Sequence, residues 1–437
     1  MKFSDVHKTI GNYMLADGMS PVIDLDKSHG SWLVDGNTGD EYLDMFSMFA
    51  SLSVGYNHPY VLENKDRLLA SAINKPTNSD IYSPEMANFV HTFGEIAQPN
   101  YLPYSFFIEG GALAVENALK AAFDWKVKLN LSKGKPKGGN QIIHFKDCFH
   151  GRSGYTMSLT DSPDPRKVQY FPKFNWPRVL NPSIKFPLDE KSIDEVIRLE
   201  EKSLSQIKQV LLDNPDDVAC MILEPIQGEG GIIIPPDNWL AEIRDICTKH
   251  GVLMILDEVQ SGLGRTGKLF AFEHANIRPD GLILGKALGG GFMPVSVFLS
   301  SKDVLQWMNP GSHGSTFGGN PLGSAIAKRS LELLYEEGLI ENSRIMGEYF
   351  KNSLLQLNSK IIKEVRGKGL WLGVEIDPEY IEGKALSKLL LSKGILCKET
   401  RETTIRFAPP LIITKEEIDW AVEIIGDTLK TIERKEK

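Results

Sequence analysis

LMILDEVQSGLGRTGKLFAFEHANIRPDGLILGKALGGG, residues 253–291, contains two short apolar runs, each ending on a reactive group. Leu253–Leu256 leads into Asp257-Glu258, and Leu282-Ile283-Leu284 leads into Gly285-Lys286 and a triple glycine. Runs of this length, apolar throughout rather than alternating, read as parallel strands buried on both faces. In open α/β sheets, ligands bind beyond the carboxyl ends of the strands. The stretch therefore puts an acid and an amine, one strand apart, where such a fold does its chemistry.

Outward from this stretch, strands and helices alternate. Gln141–Phe145 and Val218–Leu223 are further strand candidates. Trp239–His250 is an amphipathic helix closed by Gly251 as its C-terminal cap. Ala112–Lys128, rich in Ala, Leu, Lys and Glu, reads as a strong helix. Strand–helix–strand alternation predicts a right-handed, parallel α/β sheet. Residues 31–44 read as a hairpin around a Gly/Asn turn. From about Gly323 helical periodicity dominates, and the short strands Leu370–Ile376 and Ile405–Phe407 follow. The expected organisation is an N-terminal segment 1–75 belonging to a small domain, a large domain 76–324, and a C-terminal α+β segment 325–437. A chain of 437 residues is too long for one core, which agrees with two lobes.

The bulk composition narrows the setting. A net charge of −8 disfavours nucleic acid or an anionic membrane surface as the main partner. No apolar run is long enough to span a bilayer, and the first residues lack the apolar core of a signal peptide. Cys148, Cys220, Cys247 and Cys397 form no CxxC pair, so a disulfide framework or structural zinc is not expected, and a reducing cytoplasm fits.

Some motifs mislead. Gly262-Leu263-Gly264-Arg265-Thr266-Gly267 matches GxGxxG, but five residues separate it from the strand, and no long crossover helix follows. With Lys268 the same glycines approach a P-loop, yet Leu269 stands where a hydroxyl must hold magnesium. His144, His150 and His274 have no metal-ligand spacing and read as packing or hydrogen-bonding histidines; no metal is expected.

Lys286 alone is one lysine among many; its place after a buried strand suits a lysine of lowered pKa acting as nucleophile. Asp257 alone could be a helix cap or a loop acid. Glu109-Gly110-Gly111-Ala112 opens the strong helix, and free N–H groups at such a turn hold a phosphate, although a plain glycine turn reads almost as well. A carboxylate for a pyridinium nitrogen and a lysine for a Schiff base are what a pyridoxal phosphate site requires.

Together these residues resemble the class III (ω-amino acid) aminotransferases of pyridoxal-phosphate fold type I. The resemblance runs from Tyr56-Asn57-His58-Pro59 through Phe149-His150-Gly151-Arg152, Glu224-Pro225-Ile226-Gln227-Gly228-Glu229-Gly230-Gly231 and LDEVQSGLGRTG to Gly314-Ser315-Thr316-Phe317-Gly318-Gly319-Asn320-Pro321 and Arg406. It implies a large domain with a mostly parallel sheet and a small α+β domain built from both chain ends. It also implies that Lys286 carries the cofactor and shuttles the proton, that Asp257 holds the ring nitrogen protonated, and that Gln260 bonds the phenolic oxygen. Phe149 would stack on the ring, Gly111 and Ala112 would bind the phosphate, and Thr316 would reach the same phosphate from the other subunit of a homodimer.

The phosphate turn EGGALAVENALKAAFDWK, with FHGRSGYT and FPKFNWPR, resembles the L-lysine 6-aminotransferase subfamily. The resemblance implies transfer of the ε-amine of lysine to 2-oxoglutarate. Arg152 would take the distant carboxylate of lysine. Arg406 would take the carboxylate of 2-oxoglutarate near the ring, masked by Glu229 while lysine is bound. A fixed Glu229–Arg406 ion pair is the competing reading. Ornithine 5-aminotransferase, 4-aminobutyrate aminotransferase and, more remotely, a pyridoxal-phosphate aminomutase would keep the same cofactor residues.

Overall fold

The structure, a computed structural model, describes residues 1–15, 18–73, 81–136, 138–309 and 311–435. The expected boundary near residue 75 lies outside the described residues. Residue 325 falls inside helix Pro321–Glu336.

Fourteen strands are present among the described residues: β1 Trp32–Val34, β2 Glu41–Asp44, β3 Tyr104–Ile108, β4 Gln141–Phe145, β5 Arg178–Val179, β6 Val218–Leu223, β7 Leu253–Asp257, β8 Gly281–Leu284, β9 Ser296–Ser300, β10 Ile362–Gly367, β11 Leu372–Ile376, β12 Ile395–Leu396, β13 Lys398–Thr400 and β14 Thr404–Phe407. Seven form the central sheet in the order β3-β9-β8-β7-β6-β4-β5. Strands β6, β7 and β8 are buried along their whole length, as continuous apolar runs between helical layers must be. They run parallel, with Leu256 opposite Leu282 and Asp257 opposite Ile283, which brings the acid and the Lys286 turn side by side.

The sheet is not wholly parallel as the alternation suggested. Strand β9 runs antiparallel to both β8 and β3. The reason is the short return: the chain passes through the Lys286–Gly289 turn and Gly290-Gly291 without a crossover helix, and a strand reached that way must come back antiparallel. Gly290 and Gly291 have φ of +62° and +83°, and a Cβ on Gly291 would lie 2.7 Å from Leu52 Cδ1. The glycines let the return fold tightly against the N-terminal segment.

The helices follow their sequence signals. Helix Asp237–His250 ends at Gly251, φ +60°, whose N–H bonds the Cys247 carbonyl. Helix Pro321–Glu336 begins with Asn320 accepting from Gly323 N and Pro321 in the first turn. The strong helix is longer than its composition indicated, Gly111–Ser132. The hairpin is confirmed as β1–β2, with Trp32 opposite Leu43. β12 joins it in parallel, so the two chain ends share a three-stranded sheet. The remaining C-terminal strands form a sheet in the order β10-β11-β14-β13.

Candidate active site

Loops from both ends of the chain meet above the carboxyl ends of β7 and β8. Asp257 is buried and accepts from His150 Nδ1 at 2.7 Å. Burial alone would lower the His150 pKa, but Cys148 and Asp257 overcome it and hold the value well above the ordinary imidazole range. The imidazolium and the Asp257 carboxylate form a buried, hydrogen-bonded ion pair at the end of β7.

Lys286 follows Gly285 and has φ +39°, a conformation costing a non-glycine residue on the order of 1–3 kcal/mol. Part of its surface stays open, while the surrounding protein desolvates the amine and lowers its pKa to about 8. Glu229, Asp257 and Glu224 pull the value back up, and Arg406 opposes them. A lysine so poised is partly neutral near pH 7.5 and can act as a nucleophile.

The loop that carries Phe149 and His150 is fixed by two carboxylates that the sequence reading did not single out. Glu224 accepts from Phe149 N at 2.8 Å and Gly228 N at 3.0 Å. Burial raises its pKa to about 7. Glu116, on the second turn of helix Gly111–Ser132, accepts from Ser153 Oγ at 2.6 Å and Tyr155 N at 2.8 Å. Glu224 follows the end of β6 just as Glu258 follows that of β7, a signal the sequence did contain. Gly111 and Ala112 stand on the first turn of their helix; a Cβ on Gly111 would lie 2.8 Å from Val259, and one on Gly151 would lie 2.6 Å from Ala112. The phosphate-type turn, the Phe149 loop and the turn after β7 are thus in direct contact.

Glu229 accepts from Arg406 Nη1 at 2.6 Å. Burial alone would raise the Glu229 pKa, but Arg406, with Lys286 and Lys167, brings it below the ordinary value. The contact uses a single arm of the guanidinium, and Arg406 Nε is buried without a hydrogen-bond partner among the described residues. Arg152 is exposed, 6.0 Å from the Phe149 ring, and makes no ion pair among the described residues. Gln260 donates from Nε2 to the Phe49 carbonyl at 3.3 Å. Thr316 is exposed, and its neighbour Ser315 bonds Glu109 beside the phosphate-type turn.

Phe49 is a further residue that the sequence reading missed. It lies 5.6 Å from the Arg406 guanidinium and 5.3 Å from Lys398 Nζ. Its turn, Ser47-Met48-Phe49-Ala50, is left-handed throughout, with φ of +46°, +47°, +62° and +65°. Such a turn costs roughly 1–2 kcal/mol per residue. Buried Asp44 holds it, accepting from Phe46 N, Ser47 N and Tyr56 OH at 2.7–2.8 Å.

These groups fit pyridoxal phosphate. A lysine of lowered pKa, a buried carboxylate backed by a protonated histidine, and a glycine-opened helix N-terminus provide for its aldehyde, ring nitrogen and phosphate. Among the described residues, no cluster of three or more His, Cys, Asp or Glu could hold a metal ion. No helix among them is long and apolar enough to cross a membrane.

Comparison with known proteins agrees with this geometry. The model of the family Aminotransferase class-III matches residues 14–429. The L-lysine-epsilon aminotransferase of Mycobacterium tuberculosis is 38% identical over 439 residues, covering 98% of this chain and 96% of the relative. An ornithine aminotransferase of Macrococcus caseolyticus is 38% identical over 420 residues, 95% of this chain and 96% of the relative. The solved structure of lysine aminotransferase from M. tuberculosis in the internal aldimine form superposes with a TM-score of 0.93 at 38% identity, over 99% of this chain and 100% of that one. The chain therefore belongs to the class III aminotransferases, pyridoxal-phosphate enzymes of fold type I.

Proposed function

We propose that the enzyme moves the ε-amino group of L-lysine to 2-oxoglutarate, giving L-glutamate and 2-aminoadipate 6-semialdehyde, which cyclises to piperideine-6-carboxylate. The Glu229–Arg406 pair beside Lys286 carries this reading. An ω-amine donor brings no carboxylate to the reacting carbon, so Arg406 must be neutralised while the donor binds. A 2-oxo acid does bring one, so Arg406 must then be free. A one-armed contact with a half-buried glutamate suits a pair that opens, whereas a fixed structural pair gains from a bidentate fork. Arg152, a cation without an ion pair among the described residues at the edge of the site, is the group for the far carboxylate of either substrate.

Bound pyridoxal phosphate supplies an electron sink that lets the proton leave the substrate carbon. Lys286 holds and returns that proton, with a pKa placed for acid–base work near neutrality. Asp257, held in place by the hydrogen bond from His150, is the partner for the protonated ring nitrogen. Phe149 covers the ring face, Gln260 addresses its phenolic oxygen, and the Gly111 and Ala112 N–H groups receive the phosphate. Thr316 completes the phosphate site from a second copy in a homodimer. Its exposure supports this, as does that of the adjoining Phe317, at 55%. Four buried free cysteines suit a reducing cytoplasm.

An ornithine donor is the second reading, favoured by an ornithine aminotransferase at the same 38% identity. A panel of lysine, ornithine and 4-aminobutyrate with 2-oxoglutarate, followed by glutamate formation and trapping of the cyclic imine, decides between them. Lysine should give the highest kcat/KM; preference for ornithine overturns the donor assignment. Glu229→Ala should impair the lysine half-reaction more than the 2-oxoglutarate half-reaction, and equal loss in both refutes the switch.

A further inference from the structure

The hairpin β13–β14 carries Arg406 and is fastened to two loops of the active site at once. Thr400 Oγ1 donates to the Glu229 carbonyl at 2.8 Å, so the hairpin holds the main chain of the very residue whose side chain must leave Arg406. Lys398 stands opposite Arg406 and Thr400 opposite Thr404, which leaves Arg401 and Glu402 at the tip, with φ of +52° and +64°. From that tip the Arg401 guanidinium reaches Asp147 Oδ1 at 2.9 Å and the Asp161 carbonyl at 3.2 Å.

Asp147 begins the loop that carries Phe149 and His150. Asp161 in turn accepts from Asp147 N at 2.9 Å, and its own N–H bonds the Cys148 carbonyl at 2.9 Å. Asp147 has φ +63°, so both ends of the Arg401 bridge sit on left-handed non-glycine residues. A Cβ on Gly230 would lie 2.7 Å from the Asp147 carbonyl, and Arg366 Nε bonds the Gly231 carbonyl at 2.8 Å. The Phe149 loop, the Glu229 loop and the Arg406 hairpin therefore interlock around one ion pair. That pair is too exposed, at 23% and 42%, to matter much for stability. Strained backbone retained for so little stability belongs to a site where geometry is being held.

We infer that Arg401 is a positioning residue for the keto acid half-reaction, which rests on the switch reading of Glu229 and Arg406 given above. It fixes the Arg406 hairpin against the ring-stacking loop while the Glu229 side chain swings away. In the amine half-reaction Arg406 is masked, and its placement relative to the ring has little consequence. In the keto acid half-reaction Arg406 must receive a carboxylate in register with the reacting carbon, where an error of about 1 Å is felt strongly.

The test uses the full-length holoenzyme with Arg401→Ala, Arg401→Lys and Asp147→Asn. Cofactor absorbance follows each half-reaction in single turnovers, the amine half with the best donor and the keto half with 2-oxoglutarate. Arg401→Ala should lose about tenfold or more in kcat/KM for 2-oxoglutarate and change the donor value about threefold at most. Arg401→Lys should restore part of the loss, and Asp147→Asn should fall between. Turnover of 4-oxobutanoate, whose carboxylate lies far from its aldehyde and leaves Arg406 masked, should stay near that of the unaltered enzyme. Equal losses with both acceptors, or no loss in any of the variants, overturn the inference. Glu229→Ala run in parallel separates the two failures: if it splits the half-reactions while the Arg401 variants do not, the switch stands and the positioning role falls. If Glu229→Ala affects both halves equally, the switch itself has failed.

Discussion

Titration of Lys286 tests the electrostatics of the site directly. Burial lowers its pKa from 10.5 to about 8, a difference of about 3 kcal/mol between the charged and neutral forms. At pH 7.5 roughly a quarter of such amines are neutral, against about one in a thousand for an unperturbed lysine, an enrichment of about 200-fold. Only the neutral amine is a nucleophile, so reactivity must rise with pH and level off above the pKa. Protein freed of its cofactor is treated with a trace of fluorodinitrobenzene across pH 6–11, and labelling of Lys286 is read by mass spectrometry against surface lysines. The expected midpoint is near 8 for Lys286, with the surface lysines well above it. Glu229 raises the Lys286 value, so Glu229→Gln should move the midpoint lower still, while loss of Arg406 should move it up. A midpoint near 10, or an upward shift in Glu229→Gln, refutes the reasoning.

His150→Phe should leave Asp257 buried without its charged partner and cost about 3–5 kcal/mol, read from urea denaturation, while His150→Asn, which keeps a donor, should lose less. Gly228→Ala places a Cβ 2.3 Å from Gln260 Oε1 and 3.0 Å from the buried Trp371 ring; the flexible amide should yield and the ring only slightly, so activity and the cofactor's visible spectrum should change and the melting temperature should fall a little. Met48→Gly relieves a left-handed residue that is 41% exposed and should stabilise the fold by about 1 kcal/mol; an unchanged or lower denaturation midpoint would show that the turn carries no strain.

What could be read from the sequence was local. The strands ending at Asp257 and Leu284 are continuous apolar runs, and a buried strand needs no distant information to declare itself. The caps at Gly251 and Asn320 are equally local. Strand β9 was missed because SVFLS is one more short apolar run; only its return across Gly290-Gly291 sets its direction. The left-handed turn at Ser47–Ala50 lies further out of reach, since no residue in it prefers positive φ and nothing within it favours that shape. Its conformation is imposed from outside, by the Asp44 carboxylate and by the bond from Gln260, more than two hundred residues later.

His150 shows the same limit in functional terms. Its spacing excluded a metal pair, and a hydrogen-bonding histidine was the reading left; that its partner is Asp257 follows only from the Phe149 loop meeting the end of β7. Asp257, Lys286, Gly111 and Ala112 stand at strand ends and a helix start, whose position is fixed by backbone regularity. The residues that set charge and orientation (His150, Glu224, Arg401 and Phe49) are joined across loops, and a loop contact has no period. A class III sequence therefore declares its cofactor through regular structure. Glu229 and Arg406 suit any ω-amine donor, so the lysine and ornithine relatives, both 38% identical to this chain, have to be told apart by residues that measure the length of the donor.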